Sequence, residues 1–133
     1  MPRCILLVDD STLVLQSLKS SLKGIPGWIV VGEAHDGREA VEQVLRLNPD
    51  LVILDLVMPV MNGLDAAREL ARLRPALAII MFTTFHTPQL EKEALGCGCR
   101  MVIGKTQVTT LIAAMRDLFP EMRPVPLTVN SPR

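Results

Sequence analysis

Five short apolar runs, each about the length of a strand and none alternating with polar residues, constrain this chain more than any other feature. They are CILLV (residues 4–8), WIVVGEA (28–34), LVILD (51–55), LAIIMF (77–82) and MVI (101–103). Strands rich in Val and Ile without alternation need cover on both faces, which is the condition of a parallel sheet sandwiched by helices. Helical periodicity fills the gaps. Ser11 is a suitable N-cap for a first helix with Val14, Leu18 and Leu22 on one stripe, closed by Gly24 and Pro26. Residues 37–47 turn Ala40, Val41, Val44 and Leu45 to one side and stop at Asn48-Pro49, and residues 63–74 turn Leu64, Ala67, Leu70 and Ala71 inward before Pro75. Thr87-Pro88 pairs an N-cap with a proline in the first turn and opens a short helix to Leu95. The last helix, residues 107–119, carries Val108, Leu111, Ile112, Met115, Leu118 and Phe119 on one stripe.

Strand and helix thus alternate five times, which predicts an α/β fold: a doubly wound, flavodoxin-like, five-stranded parallel sheet with helices on both faces. Right-handed crossovers leave the order 2-1-3-4-5 as the common solution at this size. In such a sheet the ligand site lies beyond the carboxyl ends of the strands, beside strand 1.

The 133 residues fit one domain, expected over 1–119, with a proline-bearing tail or linker over 120–133. Lys plus Arg and Asp plus Glu balance at 14 each, so the basic footprint of a nucleic-acid-binding domain is missing and direct nucleic-acid contact is not expected. No apolar run approaches the roughly 18 residues of a membrane span and no signal segment precedes the first strand, so a cytoplasmic location is expected. Cys4, Cys97 and Cys99 lack the second ligand pair of a zinc site and read as reduced packing residues. His35 and His86 read as solvent-facing loop positions.

The polar residues that break the apolar runs all fall at one edge. Asp9-Asp10 follows strand 1, Asp55 ends strand 3, Thr83-Thr84 ends strand 4, and Lys105 follows strand 5. Each has an ordinary explanation alone: Asp10 could cap a helix, Asp55 open a turn, Thr83 end a strand, and Lys105 face solvent. Together they converge. Like charges about 4 Å apart repel by roughly 4 kcal/mol at an effective dielectric near 20, so the three acids call for a cation. Magnesium suits them, because it takes oxygen ligands and needs only one or two direct carboxylates. A metal, a lysine and a hydroxyl around one carboxylate are equipment for stabilising a phosphoryl group in transfer.

LLVDDS (residues 6–11), LDLVMPVMNG (54–63), MFTT (81–84) and Lys105, in this order on this pattern of elements, resemble the receiver domain of bacterial two-component response regulators. The resemblance spans about residues 3–119. VVGEAHDGREA (30–40) further resembles the receivers that precede a LuxR-type helix-turn-helix output domain. It implies that Asp55 accepts a phosphoryl group from a phosphohistidine of a sensor histidine kinase or phosphotransfer protein. It also implies that Asp9, Asp10, Asp55 and the backbone carbonyl of Val57 hold Mg2+, and that Thr83 and Lys105 take phosphoryl oxygens. The face formed by helix 4, strand 5 and helix 5 would report the change and could support a homodimer. Three positions depart from the family pattern: Val102 stands where an aromatic is usual, Thr106 replaces a proline, and Thr84 is bulkier than the usual Ala or Gly.

Two other readings compete. A haloacid-dehalogenase-like phosphatase also uses a strand-end Asp with magnesium, but it needs a second Asp two residues on, where Val57 stands. A receiver-like interaction module that works without phosphorylation would not need every chemical position filled, as they are here. The filled chemical positions, with Val57 in place of a second Asp, thus predict a signalling phosphoacceptor rather than an enzyme acting on a separate substrate.

Overall fold

A computed structural model describes residues 2–120. The elements are β1 Arg3–Val8, α1 Thr12–Leu22, β2 Trp28–Ala34, α2 Gly37–Leu47, β3 Leu51–Leu54, α3 Gly63–Leu73, β4 Ala78–Thr83, α4 Pro88–Gly96, β5 Met101–Gly104 and α5 Val108–Leu118. The strands form one sheet in the order β2-β1-β3-β4-β5, and every neighbouring pair is parallel. The expected tail lies outside the described residues except for Pro120.

Side chains along the central strands alternate between two cores, as the pleat requires. Leu6, Val8, Val52, Leu54, Ile79 and Met81 pack with Ala40 and Val44 of α2, Ala67 and Leu70 of α3, and Ala94 of α4. Ile5, Leu7, Leu51, Ile53, Ile80 and Phe82 pack with Leu15, Leu18 and Leu22 of α1 and with Leu111 and Met115 of α5. Both faces are therefore covered, which explains the unbroken apolar runs in β1, β3 and β4. The edge strand β2 is different. Its middle residues are only partly buried, and its pairing slips by one residue between Val30 and Gly32, a bulge that twists an edge away from further pairing.

Helix starts follow the expected chemistry. Ser11 Oγ accepts from the amide of Val14, and Thr87 Oγ1 accepts from that of Leu90 with Pro88 in the first turn. Asp36 and Asn62 cap α2 and α3 in the same way, which the stripe analysis does not identify. Several inward positions shift. Leu15, not Val14, is buried beside Leu18 and Leu22, because a 15, 18, 22 spacing follows the helical period more closely. Leu45 is 46% exposed, since the covered face of α2 is centred on Ala40 and Val44. β3 ends at Leu54 and β4 runs on to Thr83, each one residue from the position expected.

The loop between β3 and α3 holds a left-handed residue near the carboxyl edge of the sheet. Val60 has φ 68° and an exposed side chain, a left-handed backbone that costs a branched residue about 1–2 kcal/mol. Its side chain is 75% exposed, so Val60→Gly removes this penalty and loses little packing. It should raise unfolding stability by about 1 kcal/mol after the entropy cost of glycine, measured by urea denaturation.

Candidate functional site

Strand register carries the polar residues to one place. The amide of Asp9 donates to Ala34 O at 3.0 Å, that of Asp55 to Val8 O at 2.9 Å, and that of Lys105 to Thr83 O at 3.0 Å. Each of these residues is thus the next rung after a strand ends, and the ladder that holds the core also holds the site.

The side chains close the arrangement. Lys105 Nζ lies 2.7 Å from Asp9 Oδ2 and 3.3 Å from Asp55 Oδ2, bridging two carboxylates that come from different strands. The second oxygen of each is fixed by a backbone donor: Asp9 Oδ1 accepts from Ser11 N–H at 2.9 Å, and Asp55 Oδ1 from Leu56 N–H at 2.8 Å. Asp9 and Asp55 are 2% and 6% exposed, whereas Asp10 faces solvent. All three offer an oxygen within 4.8 Å of the others.

Thr83 and Val57 stand differently. Thr83 is fully buried, and its Oγ1 accepts from Phe85 N–H at 3.2 Å. Val57 sits in the loop two residues past Asp55 with its side chain half exposed. His35 and His86 are exposed, paired with Glu39 and Glu91 respectively. Cys4, Cys97 and Cys99 are free thiols.

Gly63, which the sequence reading places only at the start of a helix, lies hard against the site. A Cβ there would come within 2.1 Å of Asp55 O, while its amide donates to Leu56 O at 2.8 Å. It therefore lets α3 begin hard against the acidic strand end. The dipeptide Asn62-Gly63 is the available sequence signal; the close approach itself is tertiary.

Electrostatics at the site are unbalanced. Burial, and next the charge of Asp9, push the Asp55 carboxyl above its ordinary 3.8, against the pull of Lys105 and the Leu56 amide. For Lys105, burial works downward, but the Asp9 hydrogen bond and the charges of Asp55 and Asp9 outweigh it and hold the ammonium above 10.5. Three clustered carboxylates, two of them paired with one ammonium, leave an excess of negative charge. Oxygen-only donors, two of them buried and one open to solvent, fit a hard divalent cation better than a transition metal.

Residues 5–116 match the family described as "Response regulator receiver domain". The chain belongs to this family. Over 105 residues the receiver is 37% identical to the chemotaxis protein CheY of Thermotoga maritima, covering 79% of this chain and 87% of the relative. It is 41% identical over 102 residues, 75% of its length, to a protein-glutamate methylesterase/protein-glutamine glutaminase of Alkalilimnicola ehrlichii. The match spans only 26% of that larger protein. Among solved structures, a chain of the CheX-CheY-BeF3-Mg+2 complex from Borrelia burgdorferi superposes with TM-score 0.84, 27% identity and 90% coverage of both chains. A LuxR-family response regulator from an Aurantimonas species gives 0.86, 26% identity, and coverage of 97% and 93%. The receiver thus has a phosphoacceptor signalling role, and receivers as a class interact with histidine kinases and phosphotransfer proteins. Among the described residues, no helix is long and apolar enough to cross a membrane.

The two shifts have opposite consequences for stability. Asp55 has a raised folded value, so its contribution is complete below 3.8 and is lost as pH rises through the folded value. The ionised group then works against the fold at neutral pH. Lys105 is also raised, so its contribution is complete below 10.5 and is lost only at more alkaline pH. Urea denaturation at pH 7 should therefore find Asp55→Asn more stable than the parent and Lys105→Met less stable. The advantage of Asp55→Asn should disappear near pH 3.

Proposed function

We propose that Asp55 is the phosphoacceptor, with Asp9, Asp10, Asp55 and the Val57 carbonyl as the holders of Mg2+ and with Thr83 and Lys105 as phosphoryl-oxygen partners. The observation that carries this reading is the single lysine bridging Asp9 and Asp55 at the edge of the sheet. An Asp55 oxygen attacks the phosphorus of a kinase phosphohistidine, the phosphorus–oxygen bond forms, and the phosphorus–nitrogen bond breaks with its electron pair left on the imidazole. Bound magnesium supplies charge neutralisation for the transferring oxygens. Lys105 orients Asp55 beforehand and afterwards pairs with a phosphoryl oxygen.

Conformational switching starts at Thr83. Its hydroxyl is engaged by Phe85 N–H, so turning toward a phosphoryl oxygen frees that amide and loosens the loop between β4 and α4. Val102, buried in β5, offers no aromatic ring to rotate with it. The signal therefore passes through the loop backbone to the face of α4, β5 and α5, which would serve an output partner or a homodimer.

The receiver acts on its own carboxylate and not on a separate substrate. Its output is transcription control through a LuxR-type helix-turn-helix domain, a reading supported by VVGEAHDGREA and by the Aurantimonas neighbour. It makes no direct nucleic-acid contact, works in the cytoplasm, and comprises a domain over 1–119 with a linker over 120–133.

Acetyl phosphate with magnesium should add the mass of one phosphoryl group, chelation should prevent it, and Asp55→Asn should abolish it. Labelling that persists in Asp55→Asn would sink the assignment. Val57 and Phe85, both apolar and exposed beside the site, offer nothing to orient a hydrolytic water. The phosphorylated receiver should accordingly decay slowly at neutral pH, over many minutes, followed by loss of the phosphoryl mass; a lifetime of seconds would contradict it.

A further inference from the structure

The short turn from β2 into α2 is bonded to both halves of the carboxylate site. At its start, Ala34 O accepts the amide of Asp9 at 3.0 Å. At its end, the amide of Gly37 donates to Met61 O, also at 3.0 Å. Only His35 and Asp36 separate these two anchors, one of which holds the strand end carrying Asp9 and Asp10 and the other the loop carrying Val57.

Gly37 is fixed from its own side of the contact and fitted closely on the other. Asp36 Oδ1 accepts from Glu39 N–H at 2.8 Å, and Glu39 Oε1 accepts from His35 N–H at 2.6 Å, so cap and first helical turn hold each other. The amide at the first helical position has no partner within its own helix, and Met61 O supplies one. The contact leaves no room for a side chain. A Cβ on Gly37 would come within 2.4 Å of Met61 O and 2.8 Å of Met61 Cβ. Ordinary contact begins at 3.4 Å, so Met61 O would have to retreat by about 1 Å to admit one. The amide of Gly63, donating to Leu56 O at 2.8 Å, closes the base of the same loop. A push at Met61 is therefore taken up by residues 57–62, Val57 among them.

We propose that Gly37 is a positioning residue for magnesium: its amide and its missing side chain set how the loop carrying Val57 stands against the strand end carrying Asp9 and Asp10. The inference rests on the reading of Asp9, Asp10, Asp55 and the Val57 carbonyl as the metal holders. Asp9 and Asp55 are aimed by Lys105 and by the amides of Ser11 and Leu56. A backbone carbonyl has no such freedom and is aimed only by the loop to which it belongs. Magnesium tolerates little error in that aim, because it demands near-octahedral geometry with bonds of about 2.0–2.1 Å. A loop displaced by half such a bond length misplaces one of its ligands.

Calorimetric titration of the full chain with magnesium chloride tests this. Gly37→Ala should bind the ion about tenfold more weakly than the parent, the loss usual when a group that orients a metal ligand is disturbed. The magnesium concentration that half-saturates labelling by acetyl phosphate should rise by the same factor. Gly32→Ala is the control for a merely structural effect. Its Cβ would crowd Leu47 Cδ1 at 2.7 Å, straining α2 at its far end and touching nothing in the loop, so it should keep the parent affinity while its melting temperature falls. Asp36→Ala removes the cap without adding bulk and should weaken binding more modestly, by about threefold; if Gly37→Ala does not fold, this variant decides alone. Asp9→Asn separates the two readings, since magnesium binding that survives it removes the metal assignment and this proposal with it. If Asp9→Asn loses the ion while Gly37→Ala and Asp36→Ala bind it as the parent does, or if Gly32→Ala weakens binding as much as Gly37→Ala, the role of Gly37 alone is overturned.

Discussion

One lysine ammonium placed between two carboxylates from different strands is the interaction on which the functional edge of this receiver depends. Asp9 and Asp55 arrive side by side because β1 and β3 are neighbours in register, and both lose most of their solvent there. Without a shared cation the pair would repel at short range in a medium where repulsion is poorly screened. Lys105 satisfies both, and it can do so because the amide of its own residue is tied to Thr83 O one strand away. The site is therefore held by the backbone ladder first and by charge second.

That division of labour explains why the central strands are so uniformly apolar. β1, β3 and β4 are buried by helices on both faces, while Asp9, Asp55 and Lys105 each lie one residue past a strand end. Gly63 sharpens the contrast. It presses the start of α3 against Asp55 O, where any larger residue would force the loop outward. Val60, a few residues earlier, holds a left-handed backbone that a branched residue adopts at a cost, so the short loop carries both a tight approach and a conformational penalty next to Asp55. Loops on a rigid scaffold are the usual home of function for this reason.

Most of the architecture was legible in the chain because each part of it has a local cause. Unalternating Val and Ile runs report two-sided burial, Ser11 and Thr87 report helix starts, and the carboxyl-end rule then locates the site before any coordinates exist. Shortfalls occurred where the cause was not local. Leu45 looked inward by its period, but the covered face of α2 is set by which part of the sheet it crosses. That the Thr83 hydroxyl accepts from Phe85 N–H has no sequence signal either, since the contact exists only once the loop has turned. Cys97 and Cys99 read as packing residues, and they do pack; the guanidinium on Cys97 comes from another helix, 29 positions earlier.

By itself the sequence determined the alternation of strands and helices, the sheet order, and the identity of the residues at the strand ends, since hydrophobic period, capping and crossover handedness act over short stretches or as general rules of topology. Only the tertiary structure decided which oxygen of each carboxylate meets Lys105, which is held by a backbone amide, and which group each hydroxyl and thiol faces. These depend on distances between segments that register and packing bring together, and such distances have no signature along the chain.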